Sequence, residues 1–273
     1  MTESASQWGH VFESGSMNAM DAYDRIVARA FEEWGHDMVE RLAPLEGKTV
    51  LEIACGSGTV TLMLAEAAGP TGRVIGTDIS PSMLAVARAK TATGAPIEWT
   101  ESPAEPLPIE HDSVDAIACQ QGLQFFPDKV AALKEMHRVL APGGRAVVSV
   151  WTQVEDQDFW GSLQASIGAV WSAELAERYR GPFSLAGETA AELAQKAGFA
   201  DVTLERVTLP GRLYGGAPAL VESLVAAGIA PDFAKLDDEG RARLLAEVER
   251  RTQHLASGSD LVGTGTASVL TLS

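Results

Sequence analysis

The sequence predicts an α/β fold organised around two parallel strands and a site at their carboxyl ends. An apolar run of strand-forming residues begins at Val50, passes through a turn of small residues and enters a helical pattern at Thr59. A second buried strand, Arg73–Asp78, ends in a carboxylate about 20 residues after the turn. This pattern of strand, glycine turn, helix and strand predicts a nucleoside-binding domain.

The glycine turn narrows the class of nucleoside. Gly56 and Gly58 remove side chains that would keep a ligand from the backbone, and the helix start offers unpaired N–H groups. Thr61 occupies the position of the third glycine in a dinucleotide fingerprint, and no Gly-Lys-Ser/Thr sequence completes a P-loop. A nicotinamide-dependent oxidoreductase is therefore the less favoured alternative. Asp78 is placed to accept both hydroxyls of a ribose.

The sequence E-x-A-C-G-x-G from Glu52, followed by Asp78, resembles the class I S-adenosylmethionine-dependent methyltransferases. The resemblance implies that Glu52, Ala54, Gly56 and Gly58 hold the methionine end of the cofactor and that Asp78 holds its ribose. Ala54 departs from the commoner glycine, although alanine still permits close approach. The resemblance also implies a Rossmann-like sheet of seven mostly parallel strands, in the order 3-2-1-4-5-7-6, with the last strand antiparallel and helices on both faces.

Length, charge and cysteine count limit the possible classes of protein. The 273 residues fit one domain, and the net charge of −16 argues against a nucleic-acid partner. The first ten residues lack the basic and apolar regions of a signal peptide, and no apolar run approaches about 18 residues. We therefore expect a cytoplasmic protein without membrane insertion. Two cysteines provide neither a disulfide framework nor a metal site.

Residues 1–47 predict an N-terminal helical cap with at least two amphipathic helices. Its stripe of aromatic and methionine side chains is either ordinary core packing or a flexible apolar wall over a substrate, and Phe12 is the substrate candidate in the second case. In similar enzymes a tyrosine before the domain often reaches the carboxylate of the cofactor, which makes Tyr23 a candidate. The alternative for Tyr23 is a half-buried ring with a solvated hydroxyl. The stripe consists of Trp8, Phe12, Met17, Met20, Tyr23, Ile26, Val27, Ala30, Phe31, Trp34 and Met38.

Residues 48–151 form the predicted cofactor-binding core, which continues after Asp78 with a helix that Ser80 and Pro81 begin. Ile79 and Met83 are cofactor candidates at its start, and core packing is an equal alternative for Met83. The next strand, Ile97–Thr100, leads into a loop that resembles the family's G-D-A-E-x-L-P loop. Pro103 replaces the aspartate that often binds the adenine amino group, so we expect the adenine to depend on Ala104, or more weakly on Glu105.

A strand at Ser113–Cys119 precedes a loop with three glutamines and two phenylalanines. In similar enzymes this segment lies where cofactor and substrate meet. The glutamines supply hydrogen-bond donors and acceptors without a general base, and hydrogen bonding within the loop is the alternative role. We predict contacts to the cofactor from Cys119, Gln120 and Gln124, and contacts to the substrate from Gln121 and Phe125.

Beyond a strand at Arg145–Trp151, residues 152–273 form a C-terminal half with a less regular pattern. Helices are predicted at about 158–176 and 188–197, and strands at 202–209 and 267–272. The helical insertion between these strands, at about 217–256, is either a lid, an oligomer contact or a solvated helix with one apolar face. Because an oligomer contact is one of these possibilities, the chain is also a candidate homodimer.

The predicted reaction is transfer of a methyl group from S-adenosylmethionine to a small, largely apolar acceptor. A sulfonium methyl is already electrophilic, so the protein chiefly aligns the nucleophile for in-line displacement and excludes water. A protein that binds the cofactor without methylating is the main alternative. The spacing selects no catalytic base from the available histidines and tyrosines. These are His10, His36, Tyr23, Tyr179 and Tyr214.

Overall fold

The structure, a computed structural model, describes residues 16–273 and contains one mixed sheet. Its spatial order is β3-β2-β1-β4-β5-β8-β6, and the two-residue strand β7 pairs with β8. Strands β1 to β5 are mutually parallel, whereas β8 runs antiparallel to both β5 and β6. The predicted order is confirmed, because β8 takes the place of the expected seventh strand and β7 is the addition. The strands are β1 (Thr49–Ile53), β2 (Arg73–Asp78), β3 (Ile97–Glu101), β4 (Val114–Gln120), β5 (Leu140–Trp151), β6 (Val202–Leu213), β7 (Ala256–Ser257) and β8 (Asp260–Leu272).

Helices cover both faces of this sheet. The cap contributes α1 and a continuing π-helical segment, Tyr23–Ala28, followed by α2. Ser80 caps the helix after β2 as predicted, because its side chain accepts a hydrogen bond from the Met83 N–H. Asp128 caps the helix after β4 in the same way, with the Ala131 N–H as donor. The helices are α1 (Met17–Ala22), α2 (Glu32–Leu42), α3 (Thr59–Ala68), α4 (Pro81–Arg88), α5 (Lys129–Val139), α6 (Asp158–Val170), α7 (Ala173–Tyr179), α8 (Gly187–Ala197), α9 (Gly216–Glu222), α10 (Ala230–Phe233) and α11 (Asp238–Thr252).

Three apolar clusters hold these layers together. On one face of the sheet, α5 and α8 bury side chains such as Leu133 and Ala194. On the other face, α2 and α3 do the same, and Trp34 and Met38 of the predicted cap stripe are among the buried residues. The third cluster joins α6, α7 and α9 to α11, so the helical insertion packs on the C-terminal half of the chain. Within residues 16–273, no helix is both long and apolar enough to cross a membrane.

The C-terminal half differs from the predicted boundaries in two places. The helix expected at 158–176 is two helices, because α6 ends at Val170 and Ser172 caps α7. Strands β6 and β8 pair from Val202↔Leu272 to Leu213↔Leu261, which extends both well beyond the predicted strands. Glycines in the β8 extension interrupt the apolar pattern, and they are needed there because a Cβ atom at Gly263 would lie 2.9 Å from Asp158.

The cap is attached to both the core and the insertion. Asp24 of the π-helical segment forms an ion pair with Lys90 at 2.5 Å, just beyond α4. Arg25 pairs with Glu222 of α9 at 2.6 Å, and Arg29 lies over the ring of Tyr214. These contacts join the π-helical segment of the cap to the end of α4 and to the region of α9. Trp8, His10 and Phe12 lie outside the described residues.

Candidate functional site

The glycine turn between β1 and α3 forms an open cradle. Its backbone has positive φ at Ala54 (57°), Gly56 (54°) and Gly58 (81°). A Cβ atom at Gly56 would meet nothing within 4 Å, so the space above this residue is open to a ligand. Gly58 differs, because its Cβ would lie 2.6 Å from the ring of Trp99 on β3. Gly58 is therefore required for packing of the turn, and its predicted contact with the cofactor remains a prediction.

Glu52 is a buried carboxylate beneath the turn. It lies on β1 opposite Gly76 of β2 and Ala118 of β4, and only 2% of its surface is exposed. The Thr61 hydroxyl donates a hydrogen bond to its Oε2 atom. Burial and, less strongly, the negative charge of Asp78 raise the pKa of Glu52 to about 8, although the Thr61 bond acts in the opposite direction. Among residues 16–273, no lysine or arginine forms an ion pair with either carboxylate.

Asp78, at the end of β2, connects the glycine turn to the start of α4. Its Oδ2 atom accepts a hydrogen bond from the Gly56 N–H at 2.8 Å, and its Oδ1 atom accepts one from the Ser80 N–H at 2.9 Å. Burial raises the pKa of Asp78, whereas these hydrogen bonds act to lower it. A carboxylate has about four acceptor positions, so Asp78 retains capacity for ligand hydroxyls. Ile79 beside it is 41% exposed, which is unusual for a large apolar side chain in this protein.

Tyr23 brings the cap to the two carboxylates. Burial raises the pKa of Tyr23, and the negative charges of Asp78, Asp24 and Glu52 raise it further. Its phenol therefore remains a protonated hydrogen-bond donor at neutral pH. The Tyr23 ring packs beside a buried cluster of Met20, Met83 and Ala226. Core packing is thus the role that the structure shows for Met83, while its contact with a cofactor remains a prediction.

The loop after β4 carries buried amide groups that lack hydrogen-bond partners. The unpaired atoms are Oε1 of Gln120, both amide atoms of Gln121 and Nε2 of Gln124. Gln121 and Gln124 are 8% and 2% exposed. Gln121 also has a positive φ of 55°, although it is not a glycine. Unpaired buried amides are rare in folded proteins, so this loop is a candidate ligand contact.

The loop after β4, residues 121–128, is the glutamine loop, and it lies against the glycine turn. A Cβ atom at Gly122 would be 2.8 Å from the Cβ of Ala54 and 2.9 Å from the sulfur of Cys119. Burial raises the pKa of Cys119 to about 12, so its thiol is neutral. Phe125 packs against the C-terminal apolar cluster, on the side of α6 and α7. The predicted residues of β1, β2 and β4 therefore meet at one edge of the sheet.

Other predicted residues are less closely connected to this site. The loop after β3 begins beside Asp78, because the Ser102 N–H donates to the Asp78 carbonyl oxygen at 3.0 Å. Ala104 is half-buried in this loop and Glu105 is exposed. His36 is exposed on α2, and Tyr214 lies under Arg29. Among the described residues, no group of three or more His, Cys, Asp and Glu side chains could hold a metal ion.

Thr61 was not among the predicted site residues, although it bonds to Glu52. Its only sequence signal is its position, where a dinucleotide fingerprint would have a third glycine. On α3, Thr61 is fully buried and faces β1. Thr61 therefore argues against a dinucleotide site, and it also positions the Glu52 carboxylate.

Comparisons with known proteins point to one family of methyltransferases. Residues 1–166 match the model of the ubiE/COQ5 methyltransferase family. A demethylmenaquinone methyltransferase of Lactococcus lactis is 32% identical over 203 residues, which cover 67% of this chain and 80% of the relative. The enzyme of the same name from Oceanobacillus iheyensis is 36% identical over 145 residues, which cover 50% of this chain and 59% of the relative.

A solved structure extends the similarity over almost the whole chain. Phosphoethanolamine N-methyltransferase 2 of Haemonchus contortus, in complex with phosphomonomethylethanolamine and S-adenosylhomocysteine, superposes with a TM-score of 0.61. The match covers 97% of this chain and 59% of that protein. At 18% sequence identity this likeness supports the fold alone.

Proposed function

Because this chain belongs to the ubiE/COQ5 methyltransferase family, we propose that it methylates a small ring compound of the quinone type. The family makes it an S-adenosylmethionine-dependent methyltransferase. The acceptor class is supported by the names of the Lactococcus and Oceanobacillus relatives, both demethylmenaquinone methyltransferases. The relatives align with only part of this chain, so the acceptor is inferred from them together with the site.

The site residues fit the proposed cofactor. The observation that carries this step is the pair of buried carboxylates, Glu52 and Asp78, beside open space above Gly56, with no cation paired to either within the described chain. Burial of these two groups without a counter-ion disfavours their charged forms, and the hydrogen bonds from Thr61, Gly56 and Ser80 offset this only in part. A ligand that supplies positive charge or further hydrogen-bond donors would stabilise both carboxylates. S-adenosylmethionine would provide both, because it has an ammonium group and ribose hydroxyls. When bound, it supplies an electrophilic methyl group, and a nucleophile that attacks the methyl carbon displaces the positively charged sulfur in line.

Each residue then has a distinct binding role. Glu52 accepts the ammonium group of the methionine end, and the protonated phenol of Tyr23 donates to the carboxylate at the same end. Asp78 accepts the ribose hydroxyls while it continues to hold the Gly56 and Ser80 N–H groups. Ile79 provides an exposed apolar surface next to the ribose, suited to one face of the adenine.

The acceptor binds on the other side of the glycine turn, against the glutamine loop. Phe125 forms part of an apolar wall there, and the cap excludes water from the opposite side. The chain contributes mainly orientation and exclusion of water, which together can lower the barrier of a bimolecular reaction substantially. This proposal assigns no general base.

Titration calorimetry with S-adenosylhomocysteine, followed by a transfer assay, tests the proposed function. We expect micromolar binding at one site per chain. We then expect release of S-adenosylhomocysteine and a product about 14 mass units heavier when a demethylmenaquinone analogue with a short side chain is the acceptor, since a methyl group of about 15 mass units replaces a hydrogen atom of about 1. Binding without transfer to any ring acceptor would favour the non-methylating alternative, and binding of NADH in place of the homocysteine derivative would favour an oxidoreductase.

A further inference from the structure

We propose that Gln121 and Gln124 position the acceptor through hydrogen bonds from their neutral amides to its ring oxygens. The inference rests on the proposed function and specifies how the same site selects its substrate. It predicts preference for a neutral ring that carries hydroxyl or carbonyl oxygens, and discrimination against a ring with an ammonium or carboxylate group at the same position.

The first support is that one other buried amide among the described residues, that of Gln157, is fully paired. Gln157 is 1% exposed, and its Nε2 atom donates to Thr152, Gln153 and Thr266 while its Oε1 atom accepts from the Thr266 N–H at 3.0 Å. Gln121, with comparable burial, has neither amide atom paired. A buried amide without partners destabilises the fold, so its presence beside the cofactor cradle points to a ligand that supplies the missing bonds.

The second support is the direction in which Gln124 presents its amide. Its Oε1 atom accepts a hydrogen bond from the Trp151 N–H at 3.4 Å, and this bond leaves Nε2 as the unpaired atom. Gln124 therefore offers an N–H donor, which a hydroxyl or carbonyl oxygen on the ligand can accept.

Gln121 complements this donor because it offers both a donor and an acceptor. Its backbone N–H is held by the carbonyl oxygen of Ser149 at 3.1 Å, with positive φ. Strained backbone of this kind is retained where the surrounding structure holds it, and it occurs preferentially at functional sites. A hydroxyl group can satisfy both atoms of such an amide, because it donates and accepts hydrogen bonds.

The third support is that, among the described residues, the charged side chains at the end of this loop bond to its backbone or to the next helix. Asp128 accepts a hydrogen bond from the Ala131 N–H at 2.9 Å. Lys129, which does bond to the loop, donates to the Phe126 carbonyl oxygen at 2.8 Å. Cys119, at the base of the loop, is a neutral thiol. A charged acceptor would lose its hydration here and gain only neutral amides in exchange, which is unfavourable.

The test replaces each glutamine with methionine, which has similar length and no hydrogen-bonding amide. The probe is 1,4-dihydroxynaphthalene, with 1-(aminomethyl)naphthalene, which carries an ammonium group at neutral pH, as the ring without oxygens, and both are titrated into protein saturated with S-adenosylhomocysteine. We expect Gln121→Met and Gln124→Met to weaken binding of the dihydroxy probe about tenfold, as expected for one lost hydrogen bond to a ligand, and to change S-adenosylhomocysteine affinity less than about twofold. In the transfer assay the variants raise KM more than they lower kcat.

A stability measurement separates this role from a structural one. Gln121→Met removes two unpaired buried amide atoms, so we expect the melting temperature of the ligand-free protein to rise by about 2–4 °C. Gln124→Met also removes the acceptor of the Trp151 N–H, so its melting temperature should rise less. The matched control is Gln157→Met, which breaks paired bonds and should lower the melting temperature.

The outcomes distinguish this inference from the proposed function. Unchanged binding of the dihydroxy probe in both variants, or no preference of the wild-type protein for it over the amine, overturns the inference. Probe binding that depends on the glutamines, but without transfer to any ring acceptor, supports the inference as a binding site and overturns the proposed methyl transfer.

Discussion

The site has an acidic half and a neutral half, and the two are buried to a similar degree. Glu52 and Asp78 are carboxylates that the chain itself supplies with hydrogen bonds, from Thr61 and from backbone N–H groups. Gln121 and Gln124 are neutral amides with unpaired atoms. Under the proposed function, the carboxylate half therefore binds its ligand through charge and responds to pH. The amide half contains no ionisable group, and its cost appears as lower stability of the ligand-free protein.

The largest expected effect comes from Asp78→Ala, because Asp78 both supports the turn and contacts the proposed ribose. The variant leaves the Gly56 and Ser80 N–H groups without their acceptor, which costs about 2–4 kcal/mol of unfolding free energy. It also removes the acceptor of the ribose hydroxyls, and we expect S-adenosylhomocysteine affinity to fall by about 100-fold or more. Urea denaturation and calorimetry measure the two effects separately.

Asp237→Ala is the matched control for this variant. Asp237 also accepts a backbone N–H bond, from Gly240 at 2.8 Å, but it caps α11. Its replacement should cost about 1 kcal/mol without loss of cofactor affinity. If Asp78→Ala binds S-adenosylhomocysteine as tightly as the wild-type protein does, the ribose assignment is wrong and Asp78 acts only on the turn.

Glu52→Gln should separate binding from stability, because we expect the two to change in opposite directions. Since the folded-state pKa of Glu52 is about 8, the folded protein retains a proton that the unfolded chain loses above about pH 4.3. The ligand-free protein therefore loses stability as pH rises from about 4.3 to 8. The amide never ionises, so the variant should be about 1–3 kcal/mol more stable than the wild-type protein at pH 8.

The same variant should bind S-adenosylhomocysteine about tenfold or more weakly, because it lacks the charge for the ammonium group. Glu188→Gln, the same change at an exposed position on α8, is the control for both measurements. Equal stability of wild type and Glu52→Gln across the whole pH range would contradict the raised pKa. If wild type and Glu52→Gln bind S-adenosylhomocysteine with equal affinity, the ammonium group does not bind to Glu52.

The pH dependence of cofactor binding tests the carboxylate half without any mutation. A nearby ammonium group favours ionised Glu52, so binding at neutral pH releases the proton that the ligand-free protein carries. We expect the affinity for S-adenosylhomocysteine to rise about tenfold between pH 6.5 and 8, and then to level off above the pKa. Calorimetry in two buffers with different ionisation enthalpies counts the released proton. A flat profile in the wild-type protein would show that Glu52 does not change its charge on binding.

The sequence predicted the first half of the sheet and the carboxylate half of the site better than the rest. Apolar runs and glycine turns mark β1 to β4, and Glu52 and Asp78 occupy positions defined by those turns. The sequence analysis underestimated the lengths of β6 and β8, because glycines such as Gly263 interrupt the apolar pattern of β8. Only the close approach of Asp158 explains why a glycine is needed at this position. Residue type alone also left the glutamines ambiguous, since a loop bond and a ligand bond use the same amide. For Gln124, which amide atom lacks a partner depends on the Trp151 N–H of the neighbouring strand.

The smallest expected effect concerns Ala54, which lies between the two halves. Its φ of 57° is a conformation that glycine adopts freely and alanine does not. We expect Ala54→Gly to raise the unfolding free energy by about 0.5–1 kcal/mol, because relief of this strain exceeds the entropy that glycine adds to the unfolded chain. Urea denaturation measures this change, and S-adenosylhomocysteine affinity should remain within about twofold.

Ala118→Gly is the control for this last comparison, because Ala118 is fully buried in β4 and is not among the residues with positive φ. That variant should lose about 1 kcal/mol, since glycine in a strand has only the entropic cost and a lost contact. If Ala54→Gly also loses stability, then the Ala54 methyl group supports the glutamine loop at Gly122. The two halves would then be coupled through one methyl group, and Ala54→Gly would weaken binding of the dihydroxy probe together with that of the cofactor.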